Sequence, residues 1–186
     1  MHATLFALQH RHPMRTLLFA CFFFLSSQLL QAQTTPDIFD VARSGTVETL
    51  KTLLAKDKSL INAVSPQGYT PLLLATYRGN NEVANYLIDN GANINLATGF
   101  GTIVMAAIVK KNTAVLEKLI AAKADINAAD DKGLTPLMLA VQFQQPETVA
   151  LLLKSGAKKD SKDKAGKTAF EYATESGNEN LIKLLK

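Results

Sequence analysis

The 186-residue sequence contains no tryptophan, one cysteine and three histidines. Cys21 and the histidines (His2, His10 and His12) all lie within the first 21 residues. The rest of the chain therefore offers no histidine-based triad, no thiolate nucleophile and no His/Cys metal cluster. A lone cysteine also excludes a disulfide within the chain, so packing must supply the stability. We predict no enzyme activity, no catalytic residue, no metal site and no cofactor.

An excess of charge of one sign is also lacking. Arg11 and Arg15 lie in the first 32 residues, and after them 18 Lys and Arg face 16 Asp and Glu. Such a balance predicts no nucleic-acid partner. Adjacent carboxylates, such as Asp130 and Asp131, fit a solvated turn. They leave open one alternative function, a carboxylate- or metal-dependent enzyme, which would need opposed carboxylates across a cleft.

Residues 1–32 differ from the chain that follows. Arg11 and Arg15 precede an apolar run at 17–25, and Ala32 stands before a polar stretch. This order is typical of a secretory signal peptide, and we predict cleavage after Ala32. The apolar run is shorter than the roughly 20 residues that span a bilayer, so no membrane span is predicted. A buried helix or a membrane anchor are the alternatives.

The predicted location is periplasmic or secreted, and two details of this segment stay open. Met14 is an alternative start that gives a more compact signal. Cys21 follows Leu-Phe-Ala in a pattern similar to a bacterial lipoprotein box, where the cysteine becomes lipidated. The apolar run continues past Cys21, however, whereas a lipidated cysteine should follow its end.

The remaining chain is repetitive. Similar apolar blocks open at four threonines that are 32, 33 and 33 residues apart, and a second apolar stretch follows each block. A period in this range indicates stacked units, each of which cannot bury its apolar faces alone. The threonines are Thr70, Thr102, Thr135 and Thr168.

Local signals predict two helices in each unit. Thr70 can cap a helix whose first position suits Pro71, and Gly79 can end it. Glu82 favours the start of a second helix, where the helix dipole is positive. Gly91 then permits the left-handed backbone with which the chain leaves that helix.

This pattern resembles the ankyrin repeat family, whose Gly-x-Thr-Pro-Leu-x-x-Ala element recurs at 68–75 and 133–140. The resemblance implies an all-α solenoid of stacked helix-turn-helix units with β-hairpin-like loops. The first unit is more degenerate, as expected of a terminal unit, and the fifth is expected to cap the stack. The predicted units are about 36–65, 66–98, 99–130, 131–162 and 163–186.

Unit three departs most from the family pattern. Ile103 replaces the proline, and Lys111 and Lys123 stand where glycine is usual. In unit four, Gln144 replaces the glycine that usually follows the first helix. A lysine in a left-handed conformation costs about 1 kcal/mol, so we predict that unit three is the least stable. The family's usual histidine is also absent, and its mostly apolar replacements are expected to pack between units. They are Leu73, Met105, Met138 and Glu171.

The resemblance implies that the chain acts as a protein-binding module or scaffold, and we expect it to be a monomer. Its partner would lie on the concave surface made by the loop tips and the exposed side of the first helices. Alternatively, some aromatic rings in this set only cover neighbouring helices. The implied contact residues are Gln67, Tyr69, Tyr77, Arg78, Phe100, Val109, Lys110, Lys132, Leu134, Gln142, Phe143, Lys164 and Lys167.

Lysines are concentrated between residues 154 and 167, interleaved with Asp160 and Asp163. The simpler interpretation is a solvated edge of the stack. The alternative is a patch that steers an acidic partner or approaches anionic lipid headgroups.

Overall fold

The computed structural model describes residues 36–96 and 101–186, and the predicted signal peptide and Phe100 lie outside these ranges. Residues 36–186 form one compact unit. Over the described residues the chain forms five pairs of α-helices, with one 3-10 helix at Lys58–Asn62. The helices are α1 Ile38–Ser44, α2 Val47–Lys56, α3 Pro71–Arg78, α4 Asn81–Asp89, α5 Ile103–Val109, α6 Thr113–Ala121, α7 Pro136–Gln142, α8 Pro146–Lys154, α9 Ala169–Ser176 and α10 Glu179–Leu185.

The predicted start signals of the helices are confirmed. Each repeat threonine lies at the N-cap of a first helix, and its hydroxyl accepts a hydrogen bond from the backbone N–H three residues later. Pro71 and Pro136 follow at positions where a helix needs no N–H donor. Pro146 likewise begins α8.

The helices form two layers that share one continuous core. First helices stack on each other in the order α1, α3, α5, α7 and α9, and second helices pack in the pairs α2/α4, α4/α6 and α8/α10. Leu72, Leu87, Ile108 and Leu152 are at most 1% exposed. Burying a side chain of this size stabilises the fold by about 1.5–3 kcal/mol, and most of that burial requires a neighbouring unit.

The residues that replace the family's usual histidine behave as expected with one exception. Leu73, Met105 and Met138 are buried between elements, which confirms that packing has replaced a polar contact. Glu171 is exposed, and its carboxylate accepts a hydrogen bond from the Thr168 N–H instead. That contact completes a capping box at the start of α9.

Side-chain amides link neighbouring units in a way that the repeat pattern did not predict. The turn before each of the last four second helices carries an Asn or Gln whose NH₂ group donates to the preceding unit. The bond from Gln145 is buried and those from Asn80 and Asn112 are part-buried, so an unpaired acceptor at these three sites would be costly and the bonds favour one stacking register. They are Asn80 to Gly45 O (2.9 Å), Asn112 to Asn81 Oδ1 (2.7 Å), Gln145 to Ile108 O (2.9 Å) and Asn178 to Gln144 Oε1 (2.6 Å).

The strained backbone positions expected in units three and four are confirmed. Lys111, Lys123 and Gln144 have φ of 52°, 66° and 54°, and they are the non-glycine residues with positive φ in the described chain. Gly79 occupies the equivalent position of unit two with φ of 76°. Two of the three strained residues therefore lie in unit three.

Replacing Lys111 and Lys123 together by glycine is expected to raise the free energy of unfolding by about 1–2 kcal/mol. The left-handed conformation disfavours each lysine by about 1–2 kcal/mol, and the greater freedom of glycine in the unfolded chain offsets part of this. Urea denaturation measures the gain, and amide hydrogen exchange should show unit three becoming more protected.

Gly79→Lys is the matched reverse substitution. No atom lies within 4 Å of a Cβ built at Gly79, so only the backbone conformation opposes the change. We expect a loss of about 1 kcal/mol. If unit three of the unmodified chain exchanges more slowly than the other units, the prediction that it is the least stable is wrong.

Candidate protein-binding face

The first helices of units two to four are buried over most of their length and reach solvent only at their last turn. In α3, residues 71–76 are all buried, whereas Tyr77 and Arg78 are exposed. Tyr77 is 47% exposed, and Phe143, which follows α7, is 42% exposed. We call the exposed C-terminal residues of α3, α5 and α7, with the turn tips that precede the first helices, the first-helix face.

Unit five shows why a turn tip and the end of a first helix share one surface. Lys167 leaves the tip just before α9, and its Nζ lies 2.6 Å from Glu175 Oε1 near the end of that helix. Glu175 occupies the position that Tyr77 holds in α3, seven residues after the capping threonine. The repeat therefore places each tip beside the last turn of its first helix.

Unit five is internally paired at this face. The Tyr172 hydroxyl donates a hydrogen bond to Asp163, which lowers the pKa of that carboxyl and raises the pKa of Tyr172. The hydrogen bond to Glu175 raises the pKa of Lys167. Gln142 of unit four interacts with the same Tyr172 hydroxyl. Asp163, Lys167 and Glu175 of unit five thus already have partners, whereas Lys164 is exposed and belongs to none of the ion pairs of the described residues.

Units two and three meet through a cation–π contact on this face. Lys110 Nζ lies 4.6 Å from the centroid of the Tyr77 ring. Such contacts contribute about 0.5–1 kcal/mol at exposed sites. The lysine stem shields one part of the ring, while nearly half of the side chain stays open to solvent. The contact holds an aromatic ring and a positive charge side by side.

The predicted contact residues divide by exposure, and Phe100 lies outside the described residues. Tyr69 and Leu134 are half-buried and pack partly against the core, and Val109 and Lys167 are also half-buried. The remaining members are exposed and stay predicted contact residues. They are Gln67, Tyr77, Arg78, Lys110, Lys132, Gln142, Phe143 and Lys164.

Two contacts of this face were not predicted from the sequence. Lys110 follows Tyr77 by 33 residues, one more than the 32-residue spacing of Thr70 and Thr102, and an offset of one repeat plus one position is a usable signal for contacts between units. Lys167 and Glu175 are eight residues apart, across a turn and a helix, so the usual helix spacings do not reveal the pair.

Within the described residues, no group of three or more His, Cys, Asp or Glu side chains is placed to hold a metal ion. None of the helices in that part of the chain is long and apolar enough to cross a membrane. Among the described residues, Thr76 Oγ1 and Asn85 Oδ1 are the buried side-chain polar atoms that have no hydrogen-bond partner.

Comparison with known proteins extends the resemblance. The family model described as ankyrin repeats (3 copies) matches residues 17–98 and 102–186. The putative ankyrin repeat protein YahD of Escherichia coli is 28% identical over 189 residues, which cover 80% of this chain and 94% of that protein. The probable 26S proteasome regulatory subunit p28 of Saccharomyces cerevisiae is 31% identical over 140 residues, 73% of this chain and 61% of that protein.

Other relatives are much longer. The ankyrin repeat domain-containing protein SAT10 of Stachybotrys chartarum is 30% identical over 141 residues, 76% of this chain. The chain spans 7% of that protein, and 15% and 22% of two mammalian relatives. The similarity to these proteins is therefore confined to a repeat segment within them.

Proposed function

Because this chain belongs to the ankyrin repeat family, we propose that it is an exported, non-catalytic module that holds a protein partner on its first-helix face. Proteins built from these repeats generally mediate protein–protein interaction without catalysis. Partner choice then depends on a few surface side chains rather than on the fold. The partner and the role as a scaffold are part of the proposal.

The observation that carries the proposal is the exposure of two aromatic rings at the C-terminal ends of two first helices. Tyr77 and Phe143 are 47% and 42% exposed, although the helices behind them are buried. Large aromatic side chains are typical anchors of protein interfaces because they bury much surface with few rotatable bonds. Arg78 and Lys110 flank Tyr77 and add polar contacts at the rim.

Replacing both Tyr77 and Phe143 by alanine is expected to weaken partner capture at least about tenfold, because interface anchors each contribute more than about 1 kcal/mol. The thermal midpoint should move by no more than about 4 °C, since loss of the Lys110 contact and of exposed surface together costs about 1 kcal/mol. The assay is capture with residues 33–186, followed by titration of the identified partner.

The matched control removes two apolar side chains that are exposed in unit five. Phe170 and Leu184 are each 37% exposed, so their double alanine variant loses a similar kind of surface elsewhere on the stack. Its affinity should equal that of the unmodified chain. A large fall in the midpoint of the Tyr77/Phe143 variant would show instead that these rings support the core.

Export rests on the composition of residues 1–32 and has its own test. The full chain with a C-terminal tag would be expressed in a Gram-negative host, fractionated and sequenced from its N-terminus. We expect Gln33 as the first residue and recovery in the periplasm or the medium. Recovery from the cytoplasm with residues 1–32 intact would contradict export without affecting the binding proposal.

A further inference from the structure

In units two to four, three positive charges of the first-helix face lack acidic partners. Arg78 ends α3, Lys110 follows α5, and Lys132 lies on the tip before α7; all three are exposed. The five ion pairs found within the described residues include none of them. Lys110 contacts the face of the Tyr77 ring, which leaves its charge uncompensated.

Acidic residues are segregated from this face. Helices α3, α5 and α7 contain no Asp or Glu, although the dipole of a helix favours acids in its first turn. The second helices α2, α4, α8 and α10 each have a glutamate there. In units two to four, the acids therefore lie in second helices or in turns.

The acids of the turn before α7 change this balance little. Asp130 Oδ1 accepts hydrogen bonds from the N–H groups of Lys132 (2.8 Å) and Leu134 (2.9 Å), so this carboxylate is engaged by the turn itself. Asp131 is exposed and compensates part of the Lys132 charge by proximity in the chain. No such neighbour accompanies Lys110, which follows Val109 and precedes Lys111.

The dipole of a helix also favours cations at its C-terminus, and this explains part of the preference for Arg78 and Lys110. It does not explain Lys132, which lies on a turn tip away from any helix C-terminus. Nor does it explain why the exposed rings of Tyr77 and Phe143 lie on the same face as the charges. A mixed cationic and aromatic surface suits a ligand that is both acidic and apolar.

Unit five limits the extent of this surface. There Lys167, on the tip beside α9, is bound to Glu175, and Glu171 lies on the same helix. Lys164 on this tip is exposed and belongs to none of the ion pairs, but it lies in the unit whose first helix carries Glu171 and Glu175. Units two to four are therefore the units in which unpaired cations accompany first helices without acids. Neighbouring helices pack about 8–10 Å apart, so the three first helices cover about 20 Å. An extended chain of about six residues has that length.

We propose that the first-helix face of units two to four binds an extended, acidic segment of a partner protein that also carries an aromatic or aliphatic side chain. Its carboxylates would meet Arg78, Lys110 and Lys132, and its apolar side chain would cover Tyr77 or Phe143. This proposal rests on the proposed function and adds the chemistry of the partner. An extended segment can follow the row formed by these three cations more closely than a folded acidic surface can.

The test uses a phage library of random peptides about 12 residues long, twice the length of the face. Residues 33–186 are the bait, and clones that also bind the Tyr77→Ala/Phe143→Ala variant are removed. We expect the remaining peptides to be rich in Asp and Glu and to share at least one aromatic or aliphatic residue. Their affinity, measured by fluorescence anisotropy, should fall as salt is added.

Two charge variants separate this face from the rest of the stack. Arg78→Gln/Lys110→Gln/Lys132→Gln should bind the selected peptide about tenfold more weakly, because each exposed charge contact contributes a factor of a few. Lys56→Gln/Lys154→Gln/Lys183→Gln removes the same charge from second helices, and its affinity should be unchanged. Circular dichroism checks that both variants keep the helical content.

The outcomes distinguish the two proposals. Selected peptides that are neutral or basic, but whose binding still requires Tyr77 and Phe143, would overturn the proposal that the partner segment is acidic. They would leave the proposed function standing. Peptides whose binding ignores Tyr77 and Phe143, or no enrichment at all, would overturn both as stated. Sedimentation with phosphatidylglycerol vesicles that is lost in the first charge variant would replace the protein segment by a lipid surface.

Discussion

Replacing Leu119 by alanine is expected to lower the free energy of unfolding by about 3 kcal/mol, within the range of about 2–5 kcal/mol for truncated core leucines. Leu119 lies in α6 and is 0% exposed. Helix α6 packs against both α4 and α5, so the side chain supports unit three and its contact with unit two. Thermal and urea denaturation measure the loss.

The same substitution is expected to divide the unfolding transition. A stack of repeats is stabilised by contacts between neighbours, so weakening the middle unit uncouples the two ends. Unit three already contains the left-handed Lys111 and Lys123, so we expect the stack to separate there first. Hydrogen exchange should show units one and two opening separately from units four and five.

Leu184→Ala is the control for Leu119. This leucine is 37% exposed near the end of α10, and we expect its loss to change stability by about 0.5 kcal/mol or less. A single cooperative transition for Leu119→Ala, at the same denaturant concentration as for Leu184→Ala, would contradict the central role assigned to unit three.

Gly133→Ala is expected to destabilise the chain by about 2–4 kcal/mol, because it combines backbone strain with overpacking. Gly133 has φ of 80° and lies on the tip before α7. A Cβ there would come within 2.9 Å of the Lys164 nitrogen and 3.0 Å of the Asp163 Cα, both backbone atoms of the next tip. Backbone atoms cannot rotate away as the end of a side chain can.

The resulting shift should separate the tips of units four and five. The Lys164 N–H donates to the Lys132 carbonyl at 3.0 Å, and this bond joins the two tips. We expect fast exchange of the Lys164 amide in the variant, together with fraying of unit five. Because Lys132 belongs to the first-helix face, affinity for a partner should fall as well.

Gly68→Ala is the matched control for Gly133. Its φ is 83°, almost the same, but no atom lies within 4 Å of a Cβ built there. We expect a loss of only about 1–2 kcal/mol, which reports the backbone strain alone. Equal losses for the two variants would show that the contact between tips contributes nothing to stability.

Much of the fold could be predicted because its determinants are local. Thr70 with Pro71 indicates a helix start wherever it occurs, since a hydroxyl acceptor and a missing N–H both suit that position. The alignment of units likewise identified Lys111, Lys123 and Gln144 as left-handed positions, and all three have positive φ. These features depend on neighbouring residues and on a fixed spacing.

The candidate face could be predicted only in outline. Aligned positions identified which residues lie near the face, but they did not reveal that Tyr69 and Leu134 pack partly against the core. Nor did they reveal that Lys167 is held by Glu175. Exposure and pairing depend on how side chains pack within a unit and between neighbouring units, and no local spacing encodes that packing.

The sequence by itself determined the period, the helix starts and the strained turns of this protein, because caps, prolines and left-handed residues act within a few positions of the chain. Only the tertiary structure decided which charges of the stack remain unpaired. Lys110 lies over Tyr77 of the preceding unit, whereas Lys167 is bound within its own unit. Neither arrangement can be read from the repeat pattern, because packing brings the Tyr77 ring to Lys110, whereas it brings both the Glu175 carboxylate and the Tyr172 ring to Lys167.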